Sequence, residues 1–413
     1  MIALVAALLP LRAQEIYSVE TCPAQNTGKA MNVSWAADTA IHHSHVLYTL
    51  KSDKLWRHAK RVDPEQYLCT TFDSIYSQIP VVGNVWERHV FWKCGATLNG
   101  LKKDTEYMYR IMTGDRTTGS MTHYFKTAGA KRWSAAIISD FHTWNPLPDR
   151  LTAAMTMIDT IEAVDKSIDW VLHLGDVIAW GGSYSYWQRL YREPNFHDFM
   201  WAGVNGNHDN MSRKYELTNK YFRDANHYPR NGYEGEMGVC YYFKYGDALF
   251  IMLNNEDMRS DSALRVAQQW FRQVVAKEKA RYIIACEHYQ WFDGPTGKDS
   301  QYGRWKDVFD ECGVDLALSG NSHIYNRTNA LYRGVETDGT KGTVYVQSAS
   351  SDNERGRDPG TLTHNRDIIK KHWAQGVHTV SGMLLKVDEK CMTVTLYDRH
   401  GTLIDQVKII AKR

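Results

Sequence analysis

Asp, His and Asn residues lie in five short polar segments, and each segment comes directly after an apolar run that is typical of a buried strand. The carboxyl ends of successive strands in an open α/β sheet meet at one edge, so side chains at these positions can converge on one point. Carboxylate, imidazole and carboxamide groups are groups from which proteins build metal sites. The segments are Asp140-Phe141-His142, Gly175-Asp176, Gly206-Asn207-His208-Asp209, His288 and Gly320-Asn321-Ser322-His323.

The elements that must position these residues alternate between strands and helices from about residue 132 onward. Apolar residues at helical spacing run from Leu151 to Ile161, and again from Leu264 to Val274 ahead of His288. This order predicts β-α-β units and therefore a sheet that is covered by helices. Four strand-like segments near the C-terminus, between Gly342 and Ile410, predict a second sheet built by this tail.

The first third of the chain has a different pattern. Residues 15–128 lack helical periodicity and show short alternating segments that are separated by Gly, Asn and Asp. Several short strands at such spacing predict an all-β sandwich. The sequence is therefore divided into a β-sandwich over residues 15–128 and a larger domain over residues 132–413. Ahead of both, the apolar run from Ile2 to Leu11 predicts residues 1–14 as a signal peptide, and hence export to the periplasm or the extracellular space.

Composition and charge are ordinary for a soluble globular protein. Of the 413 residues 43% are hydrophobic and 23% are charged, and the net charge of +2 gives no electrostatic reason to expect a nucleic acid partner. The N-terminal apolar run is too short to span a bilayer. The seven cysteines lack CxxC spacing and do not predict a zinc site, but one disulfide among Cys22, Cys69 and Cys94 could form in an oxidising compartment.

Taken in order, the five polar segments resemble the motifs D-x-H, G-D, G-N-H-D, a lone His and G-H-x-H of the calcineurin-like metallophosphoesterase superfamily. The continuation from Gly320 to Arg327 resembles the G-H-x-H-x-Y-x-R segment of purple acid phosphatases. The strands before residue 128 are similar to the fibronectin-like domain that precedes their catalytic domain. The resemblance implies an α/β (α+β mixed) sandwich of two sheets flanked by helices, preceded by an all-β fibronectin-like sandwich.

The resemblance also implies two divalent metal ions, Mn, Fe, Zn or Mg, that act on a small-molecule phosphate ester. Two ions about 3.5–4 Å apart can clamp both oxygens of a phosphoryl displacement, with a hydroxide between them as nucleophile. His208 and Asn207 would contact the substrate, and His208 would either stabilise the phosphate charge or protonate the leaving oxygen. Asp209 could orient the His208 imidazole. The implied ligands are Asp140, His142 and His323 for the first metal, Asp176 as the bridge, and Asn207, His288 and Asn321 for the second.

The sequence departs from the family pattern in two places. Ala179 occupies the position at which purple acid phosphatases carry an iron-binding Tyr, and His142 replaces a small residue, so we expect no purple colour. Asn321 replaces the first His of G-H-x-H, and a carboxamide oxygen is a weaker donor than imidazole toward Zn²⁺ or Fe. Three outcomes are open: an Asn ligand, a weak second site that fills only with substrate, or a lost second site.

The sequence thus predicts a metal-dependent phosphoesterase, and acid phosphatase-like hydrolysis of monoesters is the specific hypothesis. Phosphodiesterase action on nucleotides or phospholipid head groups is an alternative, because the superfamily catalyses both with nearly the same metal centre. An alternative of another class is an exported binding protein with a degenerate metal site. Asn321 keeps this alternative open, whereas the other motif residues weigh against it: Asp140, Asp176, Asn207, His208, His288 and His323.

Three features outside the motifs have two interpretations each. The polar loop from Asp352 to Asp367 either reaches over the site or is a solvated excursion. The segment from Tyr184 to Arg189 either shapes the substrate pocket or forms an amphipathic packing helix. His173 lies inside a strand, which favours a core histidine over a functional one.

Overall fold

A computed structural model describes residues 15–75, 85–114, 121–144, 149–166, 168–211 and 220–413. The predicted signal peptide, residues 1–14, lies outside the described residues. Among the described residues, no helix is long and apolar enough to cross a membrane.

The N-terminal part of the chain is built from strands β1 (Ile16–Pro23), β2 (Ala30–Asp38), β3 (Ser44–Leu50), β4 (Lys60–Val62), β5 (Glu65–Ile75), β6 (Val85–Asn99), β7 (Glu106–Thr113) and β8 (His123–Lys126). They form two antiparallel sheets with the strand orders β1-β2-β6-β5 and β4-β3-β7-β8. Trp35 and Tyr109 are fully buried between the sheets, and the Tyr109 hydroxyl lies 2.8 Å from the Thr21 hydroxyl of the other sheet. The predicted all-β sandwich is therefore confirmed.

The remaining strands are β9 (Trp133–Ile138), β10 (Trp170–His173), β11 (Met200–Gly203), β12 (Tyr241–Tyr245), β13 (Ala248–Met252), β14 (Tyr282–Cys286), β15 (Leu316–Ser319), β16 (Tyr325–Thr328), β17 (Leu331–Tyr332), β18 (Val335–Glu336), β19 (Val344–Gln347), β20 (Ile369–Trp373), β21 (Ser381–Val387), β22 (Cys391–Asp398) and β23 (Leu403–Ile410). The helices are α1 (Asp149–Val164), α2 (Tyr184–Leu190), α3 (Asn195–Asp198), α4 (Asn207–Asn210), α5 (Lys220–Ala225), α6 (Asp261–Lys277) and α7 (Gln301–Cys312).

Two large sheets form the second part of the chain. Their strand orders are β11-β10-β9-β21-β22-β23 and β12-β13-β14-β15-β19-β16-β20, and β17 and β18 form a small separate ribbon. Strands β9, β10 and β11 run parallel in the first sheet, and β13, β14, β15 and β19 run parallel in the second. The polar motifs follow the carboxyl ends of these parallel strands, as the sequence predicts.

The apolar pattern of β13 shows how the layers are held together. Phe250 and Met252 belong to the cluster between the two sheets, whereas Leu249 and Ile251 belong to the cluster beneath α6 and α7. A strand that is buried on both faces is apolar at every position, and here all five residues of β13 are buried. The predicted two-sheet sandwich flanked by helices is therefore confirmed.

The prediction of a second sheet built by the C-terminal tail is wrong. Strands β21, β22 and β23 extend the first sheet, because β21 pairs antiparallel with β9 from Trp133 to Ile137. Strand β19 joins the second sheet instead. The physical reason is that β9 has an open edge after pairing with β10, and an apolar strand edge is stabilised by another strand.

The β-sandwich packs directly against the larger domain. The ring centroids of His123, on β8, and His197, in α3, are 4.8 Å apart. The buried Lys93 ammonium group donates a hydrogen bond of 2.7 Å to the carbonyl of Ala225. Gly95 faces the His227 ring so closely that a Cβ at this position would lie 2.3 Å from Nδ1.

All seven cysteines are free thiols. The disulfide that was considered among Cys22, Cys69 and Cys94 is therefore not formed. The Cys22 thiol is fully buried and donates a hydrogen bond of 3.0 Å to the Glu20 carboxylate, so it is a core thiol with its own partner.

Candidate metal centre

The polar motif residues converge at the carboxyl ends of both sheets. The first sheet contributes the residues after β9, β10 and β11, and the second sheet contributes those after β14 and β15. This is the edge where open α/β sheets place ligands, in the crevice outside the carboxyl ends of their strands. The residues concerned are Asp140, His142, Asp176, Asn207 and His208 from the first sheet, and His288, Asn321 and His323 from the second.

Five of these residues have left-handed backbone conformations, and they make up half of the ten described non-glycine residues with positive φ. This conformation is costly for residues with a Cβ, and it persists where the surrounding structure imposes it, most often at functional sites. The reversal turns each side chain toward the cluster directly after a strand ends. The φ angles are 55° at Asp140, 44° at His142, 51° at Asp176, 70° at Asn321 and 60° at His323.

Two motif glycines are required for close approach. A Cβ at Gly206 would lie 2.3 Å from Oδ1 of Asp176, and a Cβ at Gly320 would lie 2.7 Å from Oδ2 of Asp140. Both distances are far below van der Waals contact. The glycines therefore let the loops of neighbouring strands meet around the two carboxylates.

Four imidazoles have the same orientation. In each, Nδ1 lies at hydrogen-bonding distance from a backbone carbonyl, which leaves Nε2 without a proton in the neutral ring and free to bind a metal. Metal-binding histidines characteristically anchor their second nitrogen in this way. The Nδ1 to carbonyl distances are 2.9 Å from His142 to Asp140, 2.8 Å from His208 to Ala179, 2.7 Å from His288 to Leu174, and 2.6 Å from His323 to Arg355.

The Nε2 atoms face the two aspartates. Asp176 Oδ2 lies 3.3 Å from Nε2 of both His142 and His288, and Asp140 Oδ1 lies 3.5 Å from Nε2 of His323. Although His142 Nε2 is buried, it has no hydrogen-bond partner. Such an atom fits a metal ion better than a hydrogen bond, because a buried donor or acceptor is otherwise satisfied.

Three overlapping groups of ligand atoms result, each with all its atoms within 4.8 Å of one another. Asp176 belongs to two of them and Asp140 to two, which is the arrangement that two adjacent ions require of shared carboxylates. The described residues therefore fit a pair of divalent metal ions. The groups are Asp140, His142 and His323; His142, Asp176 and His208; and Asp140, Asp176 and His288.

The second half of the centre also contains the two carboxamides. Asn207 Oδ1 lies 3.2 Å from Nε2 of His288. The backbone N–H of Asn321 donates to Asp140, with a distance of 3.0 Å to Oδ2, and its side-chain Nδ2 donates to Gln290. Since the nitrogen of the Asn321 carboxamide is engaged, only its oxygen remains for a metal.

Electrostatic fields at the centre favour cations. Burial raises the pKa of Asp176, but the His288 and His208 charges outweigh burial and hold that pKa well below its usual value. Burial lowers the pKa of His288, and Asp176 reverses this and raises the pKa above its usual range. The same concentration of negative charge that would hold a proton on an imidazole attracts a divalent cation.

Asp209 is used differently from the sequence prediction, in which it orients His208. Its carboxylate accepts hydrogen bonds from the backbone N–H groups of Gly206, at 2.9 Å, and Ile178, at 3.0 Å. The Ala179 carbonyl holds Nδ1 of His208 instead. Burial raises the pKa of Asp209 to about 7. Asp209 therefore shapes the loops around the centre, because two buried backbone donors need an acceptor.

The polar loop after β19 reaches the centre. Asp352 Oδ2 lies 3.3 Å from Nδ1 of His142, and the Arg355 carbonyl accepts the hydrogen bond of His323. A position of this loop near the site was one of two interpretations of the sequence, but the contacts of Asp352, Arg355 and Gln290 were not predicted. A carboxylate that opens a polar Gly-rich loop was the only local signal.

The remaining candidates have structural roles. Tyr184 is buried and stacks on Phe91 of the β-sandwich with a centroid distance of 4.2 Å, so α2 is a packing helix. His173 is buried, and burial lowers its pKa to about 3, as expected for a core histidine. Tyr289, next to His288, donates its hydroxyl hydrogen bond to Glu256 at the edge of the centre.

Comparisons with known proteins agree with this geometry. Residues 134–325 match the family model described as calcineurin-like phosphoesterase, and residues 17–127 match the model of the purple acid phosphatase N-terminal domain. A comparison with curated protein sequences found no match.

Two solved structures share the fold. Purple acid phosphatase PPD1 from yellow lupin (Lupinus luteus) seeds is 16% identical, with a TM-score of 0.74 over 96% of this chain and 74% of that chain. A structure of PhoD is 13% identical, with a TM-score of 0.60 over 98% of this chain and 94% of that chain.

The two-sheet fold and the paired ligand groups define a metal-dependent phosphoesterase. Residues 134–325 are thus similar to the calcineurin-like phosphoesterases, and residues 17–127 are similar to the N-terminal domain of purple acid phosphatases.

Proposed function

We propose that the protein hydrolyses phosphate monoesters in the manner of an acid phosphatase. The observation that supports this most is the common orientation of four imidazoles, with Nδ1 on a backbone carbonyl and Nε2 toward Asp140 and Asp176. Two bound divalent ions would polarise the phosphoryl oxygens and lower the pKa of a water molecule toward neutrality.

The residues of the chain divide this task between them. Asp176 lies at equal distances from His142 and His288, so it is the carboxylate that would be shared by both ions. Asp140, His142 and His323 would complete the first site. Asn207 and His288 would form the second, with the Asn321 oxygen as its additional ligand.

His208 is the proton donor in this proposal. Its Nδ1 is held by the Ala179 carbonyl, so Nε2 is the atom that gains a proton when the ring becomes charged and that could release it toward a leaving oxygen. Its ring lies edge-on to His142 with a centroid distance of 4.9 Å, which supports a role beside the predicted first metal. Asn207 would contact the substrate from the same loop.

The first test measures rates of the purified protein with Mn²⁺, Zn²⁺, Mg²⁺ or Fe on mono- and bis-nitrophenyl phosphate. We expect faster turnover of the monoester, and strong Mn²⁺ activation would support Asn321 as a ligand. Faster turnover of the diester would favour the phosphodiesterase alternative. No turnover with any metal, together with retained metal binding, would favour the binding-protein alternative.

Two variants test the assigned residues. Asp176→Asn should lower turnover by at least about a thousandfold, since the shared ligand is lost, while the melting temperature of the metal-free variant stays near that of the metal-free wild type. His208→Ala should slow alkyl phosphates far more than nitrophenyl phosphate, because only the poorer leaving group needs the proton. Equal losses on both substrates would contradict the proton-donor role. Asp358→Asn, an exposed Asp-to-Asn change outside the centre, is the control.

A further inference from the structure

The turn from Asp352 to Gly356 is held firmly at the metal centre. Asp352 Oδ1 accepts hydrogen bonds from the backbone N–H groups of Glu354, at 2.9 Å, and Arg355, at 2.7 Å. Glu354 forms an ion pair of 2.6 Å with Arg150. Gly356 packs so closely that a Cβ would lie 2.2 Å from the carbonyl oxygen of Gly376. The backbone of this turn therefore has a fixed position.

Arg355 lies in the middle of this turn, and its carbonyl is 2.6 Å from Nδ1 of His323. Its side chain is partly exposed, and within the part of the chain that the structure describes its guanidinium forms no ion pair. The two acidic residues of the turn are engaged elsewhere, Asp352 with His142 and Glu354 with Arg150. A cation beside the metal centre that has no carboxylate partner is available to an anionic ligand.

Three imidazoles of the centre lie close to one another beside this turn. The Arg355 carbonyl contacts His323, and the ring centroid of His142 is 5.4 Å from that of His323 and 4.9 Å from that of His208. The turn therefore brings Arg355 to the side of the centre where these three rings meet.

We propose that Arg355 is a substrate-binding residue that holds the non-bridging oxygens of a phosphate monoester dianion. The proposal rests on the proposed function and narrows its substrate class. A guanidinium presents a planar fork of donors that matches two phosphate oxygens. The charge of Arg355 favours the dianion of a monoester over the monoanion of a diester. Its attraction to the phosphoryl oxygens becomes stronger as negative charge develops on them in the transition state.

The test compares Arg355→Gln with Arg357→Gln, a matched change on the same loop at an exposed position. Two quantities are measured on metal-loaded protein: the Kd of inorganic phosphate by calorimetry, and kcat and KM on mono- and bis-nitrophenyl phosphate. We expect Arg355→Gln to weaken phosphate binding and raise the monoester KM by about tenfold to a hundredfold. The effect on the diester should be smaller, and bound metal should be unchanged. Arg357→Gln should match the wild type.

A second variant separates charge from geometry. Arg355→Lys keeps the charge and the backbone carbonyl that holds His323, but it loses the planar fork of donors. Its phosphate affinity should therefore lie between those of the wild type and Arg355→Gln. A phosphate Kd within twofold of the wild type in Arg355→Gln, with full metal content, would overturn the inference. Failure of the wild type to hydrolyse monoesters would instead overturn the proposed function, and the phosphate measurement would still decide the role of Arg355.

Discussion

A single carboxylate outside the motifs, Asp352, helps to orient two imidazoles. One of its oxygens lies near Nδ1 of His142, and the other binds the turn that brings the Arg355 carbonyl to His323. Partners of this kind fix the tautomer and ring direction of metal-binding histidines. Asp352 is therefore a positioning residue of the predicted first metal site.

Asp352→Asn should weaken binding at this site by about tenfold to a hundredfold, because the charged partner of His142 is lost while the side-chain shape is kept. The measurement is the Kd of Mn²⁺ by calorimetry. Asp358→Asn is a matched control, since Asp358 accepts a backbone hydrogen bond of 2.8 Å from Gly360 on the same loop and is exposed. Equal Mn²⁺ affinities in the two variants would contradict the positioning role.

At the scale of elements, the carboxyl ends of β10 and β11 can lie close together because Gly203 has no side chain. A Cβ at Gly203, the last residue of β11, would lie 1.8 Å from Nε2 of the buried His173 ring at the end of β10. Both strands lead directly into predicted metal ligands. The spacing of these two strand ends is therefore set by a glycine beside a core histidine.

Gly203→Ala should lower the free energy of unfolding by about 1–3 kcal/mol, because the ring of His173 or a strand must move. Gly303→Ala should have the opposite effect on the free energy of unfolding. Gly303 lies inside α7, and the nearest atom to a Cβ there is 3.7 Å away, so we expect a gain of about 0.5–1 kcal/mol from helix propensity. Chemical denaturation measures both values. An unchanged free energy of unfolding in Gly203→Ala would show that the two strands can move apart at little cost.

The elements also show what the sequence could predict. The strands before the motifs and the helix before His288 were predicted because apolar periodicity is local. The contact of Asp352 with His142 joins residues 210 positions apart, and no local pattern reports such a contact. The tail was assigned to the wrong sheet for the same reason, since its partner β9 is far away in the chain. The use of Asp209 was missed because its partners are backbone N–H groups, which every residue carries.

At the scale of the whole molecule, two histidines with lowered pKa values, the buried His123 and the half-buried His227, lie where the β-sandwich meets the larger domain. Burial is the main cause that lowers the pKa of His123 to about 3, next to His197. Burial, with the charges of Lys93 and Arg230, lowers the pKa of His227 to about 4. In the unfolded chain each would accept a proton near pH 6.5. Below that pH the unfolded state binds more protons than the folded state, so stability falls as the pH falls.

We therefore expect the free energy of unfolding to decrease between pH 6.5 and pH 4, with each of the two histidines contributing up to about 1.4 kcal/mol per pH unit. His227→Gln should reduce this slope by up to about 1.4 kcal/mol per pH unit, the effect of one proton. His58→Gln, at an exposed position, is the control and should leave the slope as it is in the wild type. Denaturant titrations at a series of pH values measure the slope. An unchanged slope in His227→Gln would show that His227 is protonated in the folded protein.

The division of the centre between two sheets has a consequence for how the molecule holds together. Asp140 and Asp176 follow strands of the first sheet, whereas His288 and His323 follow strands of the second. An ion bound by residues from both sheets would link the two layers, and its binding free energy would add to the stability of the folded sandwich. An ion at a hundred times its Kd would add about 2.7 kcal/mol to the folded state. The concentration of available metal would then affect the stability of the folded protein as well as its rate of turnover.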